Sequence, residues 1–223
     1  MATLTHPSRL KAPRRPLSPR ERTGARAWAR WLTRAGVTPD TVSVASVVFA
    51  LLASLCLWST AHSHGWIKLL LFLAAGGGIQ LRMLSNMLHG RVVIESSHNN
   101  TYREMFHDLS DRIADVAILV TAGYSMPAQS WGRDLGWLAA LLAVMTAHIR
   151  LLGGSLGAPQ YSRGPMAKQH RMAVMTAACV ISVAEPVRGH VSIIGLALVI
   201  IILGCALTMV RRTLLIVGDL KRR

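Results

Sequence analysis

The sequence predicts an all-α integral membrane protein with six transmembrane helices and an N-terminal amphipathic helix beside the membrane. Of its 223 residues, 52% are hydrophobic and only 16% are charged, whereas soluble domains carry about 25% charged residues. Long stretches contain no Asp, Glu, Lys or Arg, among them residues 41–67 and 189–210. A soluble fold cannot easily cover so much apolar surface, so the composition favours the membrane class.

Six stretches fit helices that cross the bilayer, each of which needs about 20 mostly apolar residues. They lie at 41–60, 66–86, 109–126, 134–153, 171–186 and 191–210. The first and the last meet this length with uncharged residues alone. The others reach it only by including polar residues at their ends, which is where a functional site would place them.

The region before the first span is strongly basic. Residues 1–35 contain nine Lys or Arg residues and a single acid. We assign residues 1–17, which are rich in proline, to a disordered basic tail. Residues 18–37 have arginines four apart and tryptophans on the other side, which predicts an amphipathic helix on an anionic membrane surface. A solvated basic arm that only sets the topology fits this segment equally well.

Charges in the loops predict the orientation of the chain. The six-helix domain spans residues 38–212, and residues 213–223 form a basic tail. The basic residues of both termini and of loops 86–108 and 150–171 fall on one side, while the opposite loops contain only Arg133 and Arg188. By the positive-inside rule, both termini are cytoplasmic and the protein lies in the inner membrane.

Half of the ten acidic residues fall in one window at the start of the third span. They are Glu95, Glu104, Asp108, Asp111 and Asp115. His107, Asp111 and Asp115 are four residues apart, so they line one face of a helix. Carboxylates and imidazoles beside a membrane helix mark a functional site by default, and cation binding for phosphoryl transfer is the first chemistry to consider. We assign Asp115 instead to a structural ion pair with Arg112 or Arg82.

The spacing of this window resembles the signature of the CDP-alcohol phosphatidyltransferase family. That signature reads Asp, two residues, Asp-Gly, two residues, Ala-Arg, eight residues, Gly, three residues, Asp, three residues, Asp. Its positions fall here on Asn86, His89, Gly90, Val93, Ile94, Arg103, His107 and Asp111. The chain thus resembles a divergent member with a degenerate motif. The similarity extends over about residues 20–212, including Thr38-Pro39-Asp40-Thr41, which looks like the family's Thr-Pro-Asn start.

The resemblance implies a phosphotransferase that moves a phosphatidyl group from a CDP-alcohol such as CDP-diacylglycerol to an alcohol acceptor and releases CMP. In this family the signature acids hold two divalent metals, and the fourth acid is the general base. Carried over, Asp111 is the catalytic base. The implied metal ligands are Asn86, His89, His107, Asp111 and Glu95, with Mg2+ or Mn2+ as the cofactor. Because imidazole favours softer ions, Zn2+ is an alternative.

Three arrangements of this site stay open from the sequence. One ion could bind through Asn86, Glu95 and Asp111. A softer metal could bind through His89, His107 and Asp111. The third arrangement is a catalytically weakened centre.

Basic residues on the same face predict phosphate capture, since Arg offers bidentate geometry and Lys a point charge. The predicted substrate-binding residues are Gly90, Asp108, Arg112, Arg150, Lys168 and Arg171. A phosphorylated acceptor such as glycerol 3-phosphate fits this group. The expected partners are membrane lipid, the CDP-linked lipid and the acceptor, with no nucleic acid; a homodimer is implied by the resemblance alone. The alternative function is a non-catalytic relative that binds lipid or protein.

Overall fold

A computed structural model describes residues 39–95, 101–126, 128–159, 161, 164–184 and 192–222 of the chain. These residues form six α-helices joined by short connections, without a β-strand in the described part. The helices are α1 (Pro39–Ser59), α2 (Gly65–Glu95), α3 (Thr101–Tyr124), α4 (Trp131–Ser155), α5 (Lys168–Ala184) and α6 (Ile193–Lys221). The all-α prediction is confirmed. The predicted tail 1–17 and amphipathic helix 18–37 lie outside the described residues.

Local signals set several helix ends. Gly157 follows α4 with a φ of 83°, a left-handed conformation that glycine adopts without steric cost. Its amide donates to the carbonyl of Gly154, which caps the last turn. At the start of α6, the Ser192 hydroxyl accepts a hydrogen bond from the amide of Gly195 at 3.3 Å, as expected of an N-terminal cap.

The helices contact one another in a closed ring. α1 packs against α2 and α3, α3 against α4, α4 against α6, α6 against α5, and α5 returns to α2. Large apolar side chains point outward, including Leu55 at 56% exposed and Leu203 at 65% exposed. The interior is rich in small residues such as Ala50, Ala75 and Ala139. This inside-out distribution is typical of helices that pack closely within lipid.

Four of the six helices, α1, α2, α4 and α6, are long and apolar enough to cross a membrane. These apolar helices support the assignment to a membrane protein. Among the described residues, α3 and α5 do not reach that threshold, because both begin with charged turns and α5 has only 17 residues. That these two helices also span the bilayer stays a prediction.

Three helix ends differ from those predicted. α2 continues to Glu95 and α3 begins at Thr101, so most of the predicted 86–108 loop is helical. α6 continues to Lys221, through residues that we had assigned to a tail. The reason is packing, since Ile216 is buried against Gly153 of α4.

The contact between α3 and α4 depends on glycine. A Cβ atom on Gly123 would lie 2.5 Å from the carbonyl oxygen of Gly132 and 2.9 Å from the Cα atom of Gly136. These are backbone atoms, so the helices would have to separate. We expect Gly123→Ala to destabilise the protein by about 1–3 kcal/mol, the usual cost of overpacking. Thermal unfolding in detergent measures this effect.

Gly77→Ala is the matched control, because a Cβ atom there meets nothing within 4 Å. It should leave the melting temperature unchanged. Equal melting temperatures of Gly123→Ala and Gly77→Ala would contradict the close approach of α3 and α4.

Candidate functional site

The polar side chains of the chain converge inside the ring, near the start of α3. α1 contributes serines, α2 and α3 contribute the signature positions, and α4 and α5 contribute cations. The residues brought together are Ser43, Ser46, Arg82, Asn86, His89, His107, Asp108, Asp111, Arg112, Asp115, Arg150, Lys168 and Arg171. Spacings of three and four residues on α2 and α3 place these groups on the inner helix faces.

Two imidazoles occupy the centre of this region. The rings of His89 and His107 are stacked, with centroids 3.8 Å apart and planes inclined by 8°. The Ser43 hydroxyl lies 3.0 Å from Nδ1 of His89 and 3.1 Å from Nδ1 of His107. A hydroxyl has one proton, so it donates to one ring and accepts from the other. One Nδ1 atom is therefore unprotonated and the other carries a hydrogen.

His107 lies just before the predicted span 109–126. Burial lowers the pKa of His107 to about 4, and this effect outweighs the opposing influence of the Asp111 carboxylate. Its Nε2 atom is 3.9 Å from Oδ2 of Asp111, which is beyond hydrogen-bond distance. His107 is therefore neutral at pH 7.

Asp111 is surrounded by cations. Its Oδ2 atom forms an ion pair with the Lys168 ammonium, and its Oδ1 atom lies 3.7 Å from Nη2 of Arg82. Lys168 lies at the start of α5, before the predicted span 171–186. Burial lowers the pKa of Lys168, while the charge of Asp111 acts in the opposite direction. The predicted general base is thus held by an ammonium group in this structure.

A second ion-pair cluster lies one turn away, at the edge of the site. Asp108 accepts from Nη2 of Arg112 at 2.5 Å and from Nη2 of Arg150 at 3.3 Å. All three side chains are between 20% and 32% exposed. Two partly exposed guanidinium groups here are available to phosphate oxygens, the role predicted for them.

The third carboxylate, Asp115, is buried between two arginines. Its oxygens accept from Arg82 at 2.6 Å and from Arg171 at 2.7 Å. Arg82 is fully buried, and Arg171 also donates to Thr146 Oγ1 and to the carbonyl of Met166. The predicted structural ion pair of Asp115 is confirmed, with Arg82 as the partner.

The substrate-binding role predicted for Arg171 stays a prediction. Its guanidinium is 3% exposed and bonds Asp115 and interior oxygens, so it ties α5 to α3 and α4. Its position after a basic loop suggested the surface. The other predicted cations, Arg112, Arg150 and Lys168, keep partial exposure.

Neither Ser43 nor Ser46 was predicted from the sequence as a site residue. Ser43 joins the two imidazoles, and Ser46 donates to Oδ1 of Asn86 at 2.9 Å. Serines are common in membrane helices and carry no distinctive spacing. Arg82 did have a signal, because an arginine inside the predicted span 66–86 is costly unless it has a partner.

The side chains at the signature positions are a poor set of ligands for a divalent metal. Among the described residues, no group of three His, Cys, Asp or Glu side chains is placed to hold one. Mg2+ and Mn2+ prefer oxygen ligands, yet Asn86, His89 and His107 provide one amide oxygen and two imidazoles. Gly90 and Glu95 belong to α2, but the side chain of Glu95 lies outside the described residues, so its predicted role stays a prediction.

The imidazoles do not fit a softer metal in this arrangement either. The ring centroids are 3.8 Å apart and the planes are nearly parallel, so an ion between the rings would face their π surfaces. Zn2+ binds imidazole at about 2.0–2.1 Å along the nitrogen lone pair, which lies in the ring plane. The donor set therefore does not fit the metal centre that the resemblance implies.

Comparison with solved structures identifies the fold. The chain is similar to phosphatidylinositol phosphate synthase (PgsA1) of Mycobacterium tuberculosis in complex with manganese and citrate, with 18% identity and a TM-score of 0.70 over 86% of this chain and 88% of that chain. The structure of the same enzyme with CDP-DAG bound has 17% identity and a TM-score of 0.69 over 86% of this chain and 93% of that chain. The apo form of that enzyme has 19% identity and a TM-score of 0.61 over 84% of this chain and 93% of that chain.

These similarities confirm the resemblance at the level of the fold. No protein-family model matches the chain, and no curated protein matches it.

Proposed function

We propose that this protein is a membrane phosphotransferase of the CDP-alcohol phosphatidyltransferase type, acting in phospholipid synthesis. The supporting observation is the position of Asp111. It faces the interior of a fold shared with a synthase that binds CDP-DAG, and it is surrounded there by cations suited to phosphate. The proposed donor is a CDP-linked lipid such as CDP-diacylglycerol.

The proposed step is a displacement at the lipid-side phosphorus. Asp111 takes the proton of the acceptor hydroxyl, and the acceptor oxygen forms a bond to phosphorus. The bond between that phosphorus and the oxygen of CMP breaks, and CMP leaves with the electron pair. Arg112 and Arg150 both pair with Asp108, three residues before Asp111 on α3. We propose that they bind phosphate oxygens and stabilise the charge that develops.

The acceptor is proposed to be phosphorylated. The five cations Arg82, Arg112, Arg150, Lys168 and Arg171 face three carboxylates, those of Asp108, Asp111 and Asp115. The surplus of two positive charges balances the diphosphate of the donor, and the partly exposed guanidinium groups of Arg112 and Arg150 offer a phosphate on the acceptor a separate contact. Glycerol 3-phosphate is the proposed acceptor.

Several features of the protein belong to this proposal. They are six membrane crossings, cytoplasmic termini in the inner membrane and a homodimer. The metal requirement of the family is left out of the chemistry, because the described donors do not fit Mg2+, Mn2+ or Zn2+. The proposed displacement uses side chains of the protein alone.

The experiment is a CMP-release assay with purified protein in lipid nanodiscs. CDP-diacylglycerol is supplied with glycerol 3-phosphate, inositol phosphate, glycerol or serine, in EDTA and separately with Mg2+, Mn2+ or Zn2+. We expect CMP and a new phospholipid in equal amounts with at least one acceptor, and glycerol 3-phosphate to be the best. No CMP under any condition, from protein that melts cooperatively, would refute the enzyme proposal.

A second candidate function is a non-catalytic lipid- or protein-binding relative. The observation that favours it is the ion pair of Asp111 with Lys168, together with the loss of the three other signature acids. In that case Asp111→Asn leaves the function in cells unchanged.

A further inference from the structure

The signature positions of this chain have lost most of the charge needed to hold divalent ions. Asn86, His89 and His107 stand where the resembled family has three aspartates, and none of these three side chains is an anion. Two divalent ions bring four positive charges. Without those three carboxylates, Asp111 is the single acid among the described signature residues.

The remaining acid already has a cation beside it. The Lys168 ammonium contacts Oδ2 of Asp111, and the Arg82 guanidinium is 3.7 Å from Oδ1. A divalent ion on Asp111 would lie within a few ångströms of both groups. Two like charges about 4 Å apart repel by several kcal/mol at the effective dielectric constant of about 20 that applies near a protein surface. The two protein cations therefore disfavour a metal at this carboxylate.

We infer that the cation serving the diphosphate in this centre is the Lys168 ammonium itself, in place of a divalent metal. This inference rests on the proposed function and deepens it. Lys168 leaves Asp111 when the diphosphate of the CDP-lipid binds, and the Asp111 carboxylate is thereby freed to act as the base.

Lys168 is the cation that is able to move. Arg82 is fixed, because it donates to the Asp115 carboxylate at 2.6 Å and to the backbone oxygen of Asp111 at 3.1 Å. Lys168 is the first residue of α5 and its side chain is 26% exposed. A lysine has a flexible four-carbon stem and a compact charge, so it exchanges one anion for another without moving the helix.

This exchange couples the arrival of the donor to activation of the base. Before the diphosphate binds, the Lys168 ammonium occupies Oδ2 of Asp111. After binding, Lys168 neutralises the diphosphate and Asp111 is left facing the acceptor. The acceptor hydroxyl is therefore activated only when the phosphorus that it attacks is present.

The test measures binding of CDP to purified, metal-stripped protein by isothermal titration calorimetry, in EDTA and with Mn2+. We expect the affinity for CDP to be the same in both conditions. Lys168→Met should weaken CDP binding by about tenfold or more, the usual loss for one charge-assisted contact. Lys168→Arg should retain part of the affinity. Lys221→Met, which removes an exposed lysine at the end of α6, is the matched control and should bind CDP normally.

Asp111→Asn separates the two explanations without depending on Lys168. If Lys168 is the cation, this variant frees the ammonium, and CDP binds at least as tightly as before. If a metal bridges Asp111 and the diphosphate, the variant loses a ligand and CDP binding weakens.

Binding of CDP that requires Mn2+ and falls in Asp111→Asn would overturn the inference and leave the proposed function standing. An affinity for CDP that is unchanged in Lys168→Met and in Lys168→Arg would overturn the inference as well. Absence of CDP binding in EDTA and with Mn2+, from protein with normal thermal unfolding, would refute the proposed function and the inference together.

Discussion

Asp111→Asn is expected to lower kcat by about 10²–10⁴-fold, the range of a positioned general base. The amide is nearly the same size as the carboxylate, so the packing of α3 is retained, but it cannot accept the acceptor's proton. The measurement is initial-rate CMP release at saturating CDP-diacylglycerol and acceptor.

The control for this variant is Asp134→Asn. Asp134 is exposed in the first turn of α4 and has no part in the site, so turnover should stay at the parent value. A folded Asp111→Asn protein that retains full turnover would show that another group takes the proton. A change in KM with kcat unaltered would assign Asp111 to substrate binding alone.

Asp115→Asn is expected to give the largest loss of stability among single substitutions in the site. The carboxylate is 4% exposed and accepts from both Arg82 and Arg171. An asparagine removes the countercharge that the two buried guanidinium groups share and leaves Arg82 only its 3.7 Å contact with Asp111. Breaking a buried ion pair in this way costs about 3–5 kcal/mol. Thermal unfolding in detergent should therefore show a melting temperature many degrees below that of the parent.

Asp108→Asn provides the comparison for this effect. Asp108 also pairs with two arginines, but its side chain is 32% exposed, and water replaces the lost interaction at little cost. We expect its melting temperature to stay near the parent value. Equal losses for Asp108→Asn and Asp115→Asn would mean that burial does not determine the strength of these ion pairs.

The helices were predictable from the sequence because long uncharged runs dominate it. Their ends around residues 86–108 were not, since polar helical turns and a polar loop have the same composition. The match of motif spacing placed Asn86, His89, His107 and Asp111 on two neighbouring helices. It could not show that the two imidazoles stack on each other, because that contact depends on the distance between α2 and α3.

For the charged residues, too, the sequence predicted some contacts and left others open. A structural ion pair of Asp115 was predictable from its apolar surroundings, but the sequence left Arg112 and Arg82 open as partners, and the structure shows Arg82. Arg171 was assigned to the substrate because a basic loop precedes it, and spacing alone does not reveal that its guanidinium turns inward. The predicted substrate-binding role of Lys168 rests on its place in a basic loop, whereas its ion pair with Asp111 depends on α5 meeting α3, which no local pattern encodes.

The position of Asp115 between Arg82 and Arg171 has a consequence for biosynthesis. Arg82 precedes Asp115 by 33 residues and Arg171 follows it by 56. A chain that is synthesised from its N-terminus therefore has a countercharge for this carboxylate in place before α3 leaves the ribosome. The second arginine arrives only with α5, whose contacts with α2 and α6 close the ring. Insertion into the bilayer can thus proceed without leaving a lone buried acid, and the final ion pair forms when the last two helices assemble.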